Sequence, residues 1–231
     1  MYATKGANTL VNETALYTMS FNDSLLTNSL FNTGGTMKYL IIAIIAYLLG
    51  NLSSAYILGK IFTNKDVRDY GSGSAGATNA LRTFGKKIGA LVLVGDVLKG
   101  VIAVIIGRQI GGAEGAYLAG VLVIIGHNWP ALLGFKGGKG VATTIGVVLM
   151  IDVRLTLTCV LLGIIIIAIT RMVSLGSVSG MALAPVVAII FTKPFDLTFF
   201  IFCLFVAGMS IYRHKDNIKR IMNGTERKLG R

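Results

Sequence analysis

The stretch MKYLIIAIIAYLLG, residues 37–50, contains one charged residue, Lys38, and is otherwise almost entirely apolar. The whole chain of 231 residues shares this character, with 54% hydrophobic and 14% charged residues, whereas soluble domains carry about 25% charged residues. The apolar residues form long runs without helical or strand-like alternation, which indicates burial in lipid. The sequence therefore predicts an all-α integral membrane protein whose membrane domain covers residues 37–231.

Residues 1–36 have a different composition, in which Asn, Thr and Ser are frequent. They lack the basic start and continuous apolar core of a secretory signal peptide. Because Met37 resembles a natural chain start, we interpret residues 1–36 as a disordered or non-native N-terminal extension and assign them no function.

The apolar runs are long enough for about seven transmembrane helices, since crossing about 30 Å of hydrocarbon takes roughly 20 helical residues. The predicted spans lie near residues 38–62, 88–108, 113–133, 139–152, 155–170, 172–191 and 195–212. The fourth and fifth are short, so five full spans with half-length or re-entrant helices is the alternative.

The charges predict the orientation of these spans. The chain has 22 Lys and Arg residues and a net charge of +12. With the N-terminus outside, sixteen of the 22 fall in inner segments, namely 60–87, 134–139, the turn at Arg171 and 213–231. The positive-inside rule then places the C-terminus in the cytoplasm. This bias explains the basic charge without a nucleic-acid partner.

The polar stretch GSGSAGATNALR, residues 71–82, lies in the first inner segment and formally contains GxGxxG. A dinucleotide site requires a preceding strand and a βαβ unit, and membrane helices surround this stretch instead. Small residues can also expose backbone N–H groups to an anion, while an arginine suits phosphate. The alternative is a flexible loop with a basic residue. The candidate phosphate-binding residues are Gly71, Ser72, Gly73, Thr78, Asn79 and Arg82.

A second glycine-rich stretch, LLGFKGGKGVAT at residues 132–143, approaches the P-loop pattern but does not match it. That pattern requires Ser or Thr after its lysine, and here Gly140 follows Lys139. Glycines beside lysines still suit phosphate binding, and a basic turn between helices is the alternative. The candidates are Lys136, Gly137, Gly138, Lys139, Gly140 and Thr143.

The two histidines, His127 and His214, both map to the cytoplasmic side. Each is either a structural hydrogen-bond partner or a functional group. In the second case it acts as a base or as a hydrogen-bond donor to phosphate. Without a cluster of cysteines or carboxylates they predict no metal site. Asn217 follows His214 by three residues and shares its helical face. Asp96 and Lys99, at i and i+3 within a span, are expected to pair and to fix helix packing.

The segments YLLGNLSSAYILGK, GSGSAGATNALRTFGKKIGALVLVGDVLKG, GHNWPALLGFKGGKGVAT, RMVSLGS and YRHKDNIKRIMNGTERK resemble, in order and spacing, the bacterial acyl-phosphate:glycerol-3-phosphate acyltransferases of the PlsY family. The resemblance implies a multi-pass protein of the bacterial cytoplasmic membrane with seven helices and its active site on the cytoplasmic face. Such enzymes move a fatty acyl group from acyl phosphate to the 1-position of glycerol 3-phosphate. The products are lysophosphatidic acid and phosphate, in phospholipid biosynthesis. The resemblance implies no cofactor, contact with membrane lipids, and a functional link to an enzyme that produces acyl phosphate.

Several residue roles also follow from this resemblance. It implies that the loop from Lys136 to Thr143 binds glycerol phosphate and that Glu226 is structural. Ser74 departs from the family pattern, which usually has Asn there. The implied catalytic residues are Ser72, Arg82, Lys139, His214 and Asn217, with possible support from His127, Ser174, Ser177 and Glu226.

An acyl phosphate is already activated, so the enzyme needs positioning and charge stabilisation more than a nucleophile. We therefore expect Ser72 to donate a hydrogen bond and not to carry the acyl group. Either the substrate phosphate or His214 accepts the hydroxyl proton. The alternative functions are a transporter for a phosphorylated solute, which would need polar residues at mid-membrane, or another lipid enzyme. The H-x-x-x-x-D motif of acyl-CoA-dependent acyltransferases and the paired aspartates of CDP-alcohol transferases are both missing from the sequence.

Overall fold

The computed structural model describes residues 35–230, so the predicted extension at residues 1–36 lies almost entirely outside the described residues. The chain divides into two units, Met1–Ile41 and Ile42–Arg231. The described part of the first unit, residues 35–41, is helical.

All regular elements among the described residues are helical, as predicted. Helix α1 covers residues 35–51, and short 3₁₀ turns occur at Val67–Asp69 and Ala131–Leu133. The remaining helices are α2 (Ser54–Thr63), α3 (Ala77–Phe84), α4 (Lys86–Asn128), α5 (Val141–Ile151), α6 (Val153–Thr170), α7 (Val173–Ala182), α8 (Ala184–Phe191), α9 (Leu197–Arg213) and α10 (Lys215–Met222).

Four helical stretches of the described chain are long and apolar enough to cross a membrane, and a fifth counts if α9 and α10, bent by 62°, form one span. The four are Gly35–Thr63, Lys86–Leu133, Val153–Thr170 and Val173–Phe191. This number is lower than the seven predicted spans, because two of these join into α4 and because α5 has only 11 residues.

Helix α4 folds back on itself. Its 43 residues would extend about 65 Å at 1.5 Å per residue, roughly twice the hydrocarbon thickness. Gly112 adopts φ 65° and ψ −147°, outside the helical region, which glycine tolerates because it has no Cβ. A Cβ atom on Gly107 or on Gly115 would collide with the carbonyl of the other. The predicted spans 88–108 and 113–133 are therefore two arms of one hairpin.

Glycines also bring other helix backbones into contact. In lipid the hydrophobic effect does not drive helices together. Small residues that allow close van der Waals packing therefore stabilise the interface. A Cβ on Gly100 would strike the carbonyl of Thr143, where α4 meets α5. Two further back-to-back pairs are Gly50 with Gly126 and Gly163 with Gly176.

A buried lysine joins the broken first span to α4. The predicted pair of Lys99 with Asp96 is confirmed, since the ammonium lies 2.9 Å from the carboxylate. Lys99 also donates to the carbonyls of Gly50 at 3.3 Å and Leu52 at 2.9 Å. The break between α1 and α2 leaves these carbonyls near the helix end, where they need an external donor. The lysine supplies that donor inside the membrane domain.

We predict that Gly100→Val destabilises the protein through the α4–α5 contact. Overpacking of this kind costs about 1–3 kcal/mol, which lowers the Tm of a protein of this size by roughly 2–12 °C. The measurement is thermal unfolding in detergent, followed by circular dichroism.

Gly208→Val is the matched control, because a Cβ built there has nothing within 4 Å among the described residues apart from its chain neighbours and the backbone of its own helix. We expect its Tm to match that of the wild type. Equal melting of the two variants would contradict the packing explanation.

Candidate active site

The sequence-predicted polar segments meet around one cavity of about 180 Å³. The cavity lies between the 71–82 stretch, the loop before α5, the start of α7, the junction of α9 with α10, and the segment after α10. The predicted residues that line it are Ser72, Thr78, Asn79, Arg82, His127, Lys139, Gly140, Ser174, Ser177, His214, Asn217 and Glu226. The structure thus brings most of the predicted site together.

The first loop is held in shape by the buried side chain of Asn79. Its amide oxygen accepts from the backbone N–H of Ser72 at 2.9 Å, and its amide nitrogen contacts the carbonyls of Val67, Tyr70 and Ser74, each at 3.0 Å. These contacts occupy the amide, so Asn79 positions the loop.

Three backbone N–H groups of the expected nest already have partners within the protein. The N–H of Ser72 donates to Asn79, that of Gly73 to Tyr70, and that of Ala75 to Gly137. Gly71 and Gly73 have positive φ and shape the turn but do not line the cavity. This stretch can bind a phosphate through the hydroxyl groups of Ser72 and Thr78 and the guanidinium of Arg82. The N-terminus of α3, which has no side-chain cap, can also contribute.

The second loop presents Lys139 to the cavity and turns other predicted residues away from it. Lys136 is exposed, whereas Thr143 is buried, and neither lines the cavity. Gly137 and Gly138 are also absent from the lining, since they pack against the backbone and ring of His127. A direct phosphate contact from these four residues therefore has no support in their placement.

Hydrogen bonds hold Gly138 from two sides. Its N–H donates to the carbonyl of His127 at 3.1 Å, and its carbonyl accepts from Arg213 at 2.6 and 3.2 Å. The Arg213 guanidinium in turn lies 4.9 Å from the centre of the Trp129 ring. His127 and Arg213 therefore fix the loop that carries Lys139.

Lys139 has a strongly lowered pKa. Its ammonium donates to the side-chain oxygen of Asn217. Burial, followed by the nearby charge of Arg220, lowers the pKa of Lys139 to about 8. Both effects reflect a cationic site with little water.

Glu226 ties the segment after α10 to α7 and α10. One carboxylate oxygen accepts from Ser174 and from Asn217, both at 2.8 Å, and the other accepts from Arg220 at 2.9 Å. Burial alone would raise the pKa of Glu226, but the hydrogen bonds from Asn217, Ser174 and Arg220 bring it below its ordinary value. This arrangement fits the structural role implied by the resemblance.

His214 is buried at the bend between α9 and α10. Its Nδ1 lies 2.8 Å from the carbonyl oxygen of Ser210. A carbonyl can only accept, so Nδ1 carries the proton and Nε2 of the neutral ring is an acceptor. His214 lines the cavity, so this acceptor can serve a hydroxyl group.

Positive charge exceeds negative charge around the cavity. The lining cations are Arg82, Lys139, Arg220 and Arg227, and the lining carboxylates are Asp96 and Glu226. Burial, followed by the nearby charge of Arg227, lowers the pKa of Arg82, whose guanidinium donates to the Arg227 carbonyl at 3.3 Å. Two arginines brought together in this way suit a phosphate dianion.

Four lining residues with polar or charged side chains were not predicted as site residues, namely Ser74, Asp96, Arg220 and Arg227. The two arginines lie in the basic C-terminal stretch, but the sequence does not indicate which of its side chains turn inward. Among residues 35–230 no group of three or more His, Cys, Asp or Glu side chains could hold a metal ion.

The family model described as glycerol-3-phosphate acyltransferase matches residues 40–224. Among curated relatives, the glycerol-3-phosphate acyltransferase of Clostridioides difficile (strain 630) is 49% identical over 199 residues, covering 84% of this chain and 96% of the relative. The glycerol-3-phosphate acyltransferase of Alkaliphilus metalliredigens (strain QYMF) is 46% identical over 195 residues, covering 84% of this chain and 98% of the relative.

The fold is also similar to that of a solved structure, PlsY (YgiH), described as an integral membrane glycerol 3-phosphate acyltransferase. Its glycerol 3-phosphate form aligns with a TM-score of 0.77 at 34% identity, covering 83% of this chain and 96% of that chain. Its lysophosphatidic acid form aligns with a TM-score of 0.75 at the same identity. With a family model covering most of the chain and relatives of this identity, the protein belongs to the glycerol-3-phosphate acyltransferase family.

Proposed function

We propose that the enzyme transfers a fatty acyl group from acyl phosphate to the 1-hydroxyl of glycerol 3-phosphate and releases lysophosphatidic acid and phosphate. The observation that carries this proposal is the cationic cavity in which Arg82, Lys139 and His214 meet within a membrane protein. The relatives named above and the two forms of the solved PlsY structure support the acceptor and the product.

The donor is inferred from the chemistry of the site. The Ser72 hydroxyl has no histidine or carboxylate partner among the described residues, so it has no base to activate it as an acyl carrier. Direct transfer therefore requires a donor with a good leaving group, which the phosphate of a mixed anhydride provides. An enzyme that makes acyl phosphate must supply this substrate, and that is the functional partner we propose.

In the proposed reaction, the 1-hydroxyl oxygen attacks the acyl carbonyl carbon. The bond from that carbon to the phosphate oxygen breaks, and the phosphate leaves with the electron pair. The hydroxyl proton passes either to the leaving phosphate or to Nε2 of His214. Arg82 and Lys139 hold the phosphates and stabilise the developing negative charge, and Asn217 orients Lys139 through their hydrogen bond.

The acyl chain is proposed to leave the cavity toward lipid along α4. Leu93 lines the cavity and is 46% exposed. An exposed apolar side chain at the polar site is a suitable starting point for an apolar route to the bilayer. Such a route would explain why a phosphate-handling enzyme is embedded in a membrane.

We further propose seven passes, with the N-terminus outside and the cavity facing the cytoplasm of a bacterial cell. The arms of α4 supply two passes, and α5 begins at the cavity and ends beside the loop between α8 and α9. At that far end, Arg108 of the first α4 arm donates to the carbonyl of Met150 in α5 at 2.8 Å. Sixteen of the 22 basic residues then face the cytoplasm. Labelling of introduced cysteines from either side of the membrane tests this orientation.

The proposed reaction is tested with purified enzyme in lipid, using radiolabelled glycerol 3-phosphate with palmitoyl phosphate or palmitoyl-CoA. We expect labelled lysophosphatidic acid from palmitoyl phosphate alone. Arg82→Ala should reduce the rate at least about 100-fold, because it removes a charge that stabilises the transition state.

Lys87→Ala is the matched control, since Lys87 is exposed at the start of α4 and does not line the cavity. It should retain the wild-type rate within about twofold, as surface substitutions usually do. Product from palmitoyl-CoA, or none from either donor with folded protein, would contradict the proposal.

The lowered pKa of Lys139 predicts the pH dependence of the reaction. Lys139 is charged below its pKa of about 8, so its attraction for phosphate is present at pH 7 and is lost as the pH rises through 8. We expect kcat/KM for glycerol 3-phosphate to fall about tenfold between pH 7 and pH 9. In Lys139→Arg the guanidinium stays charged, so whatever activity remains should vary little over this range. The same decline in both proteins would show that another group is responsible.

A further inference from the structure

The cavity contains a buried carboxylate oxygen that the reaction described above does not use. Asp96, on the first arm of α4, is 1% exposed and lines the cavity. Its Oδ1 is well satisfied, because it accepts from the Ser54 hydroxyl at 3.0 Å and from the Lys99 ammonium at 2.9 Å. Its Oδ2 is buried and has no hydrogen-bond partner among the described residues.

An unpaired carboxylate oxygen of this kind is costly, and native proteins rarely keep one without a use. The two titratable neighbours, Lys99 and His127, approach Asp96 at Oδ1. His127 has its Nδ1 2.8 Å from the Lys99 ammonium and 3.6 Å from Oδ1 of Asp96. The surrounding protein therefore orients one carboxylate oxygen of a cavity-lining residue and leaves the other without a hydrogen-bond donor.

The charge of Asp96 limits what can bind there. A phosphate group would be repelled by a carboxylate, so phosphates belong near Arg82 and Lys139, and the partner of Oδ2 must be a neutral donor or a cation. On the proposed function, neither the phosphate group nor the acyl chain of the donor carries a hydroxyl, whereas the glycerol moiety of the acceptor carries two.

The two hydroxyl groups of glycerol 3-phosphate differ in their chemical roles, because only the 1-hydroxyl reacts. The 1-hydroxyl must lie beside the acyl phosphate and give up its proton during the reaction. The Asp96 carboxylate is paired with the ammonium of Lys99 and can accept a charge-assisted hydrogen bond through its other oxygen. Such a group suits the hydroxyl that keeps its proton.

We propose that Oδ2 of Asp96 accepts a hydrogen bond from the 2-hydroxyl of glycerol 3-phosphate and thereby determines specificity for the glycerol moiety. The inference rests on the proposed function, and it assigns the substrate an orientation in the cavity. The phosphate lies toward the cationic residues, and the second hydroxyl lies toward the first arm of α4.

The test compares glycerol 3-phosphate with 3-hydroxypropyl phosphate, which lacks the 2-hydroxyl, as acceptors of palmitate from palmitoyl phosphate. For the wild type we expect kcat/KM to be about 10- to 100-fold lower with the analogue, the effect of losing a hydrogen bond to a charged group. This comparison needs no variant. Equal kcat/KM for the two acceptors would overturn the proposal.

The variant Asp96→Asn distinguishes a role of Asp96 in recognising the 2-hydroxyl from a role in supporting the fold. Lys99 and Ser54 are both donors to Oδ1, so the amide oxygen should keep that position and the amide nitrogen should replace Oδ2. We expect kcat/KM to fall at least about tenfold with glycerol 3-phosphate and to stay within about twofold with the analogue. Equal losses with both acceptors would show that Asp96 only supports the fold and would overturn the proposal.

Ser54→Ala is the control, since it removes a partner of Oδ1 and leaves Oδ2 unchanged. It should keep the wild-type ratio of kcat/KM between the two acceptors, and loss of that discrimination would contradict the proposal. A wild-type enzyme that acylates neither acceptor would instead overturn the proposed function, and this inference with it.

Discussion

Close backbone contact between helices, made possible by glycine, is the constraint on which the rest of this structure depends. Lipid does not drive helices together, so contact distance decides how firmly they pack. The contact of Gly107 with Gly115 closes the α4 hairpin. The contact of Gly50 with Gly126 packs α1 against the second arm of α4, and Gly100 allows α5 to pack against the first arm. These contacts set where each helix ends, and the functional residues lie at those ends.

The tight bundle encloses polar groups that need partners within the protein. Lys99 bonds the free carbonyls at the break between α1 and α2 and holds Asp96. At the cavity, Glu226 links three elements through Ser174, Asn217 and Arg220. Because both carboxylate oxygens of Glu226 accept hydrogen bonds from these residues, Arg82 and Lys139 are left to attract phosphate. The same network therefore stabilises the site and gives it a net positive charge.

The sequence was sufficient to predict the helical membrane fold and most of the cavity lining, because long apolar runs and glycine-rich basic loops are local patterns. It predicted the pairing of Asp96 with Lys99 from their spacing alone. Features that depend on tertiary contacts cannot be predicted from local patterns. The sequence did not indicate that the N–H groups of Ser72, Gly73 and Ala75 would be bonded to Asn79 and to carbonyl groups. Arg227 and Asp96 come to line the cavity only through the fold.

The central claim is that Arg82 and Lys139, brought together by this bundle, hold the phosphate of glycerol 3-phosphate. It is tested most directly by an experimental structure of this protein in lipid with glycerol 3-phosphate bound. We expect phosphate oxygens at about 3 Å from the Arg82 guanidinium and from Nζ of Lys139, as in charge-assisted hydrogen bonds. A phosphate bound away from both side chains would contradict the account.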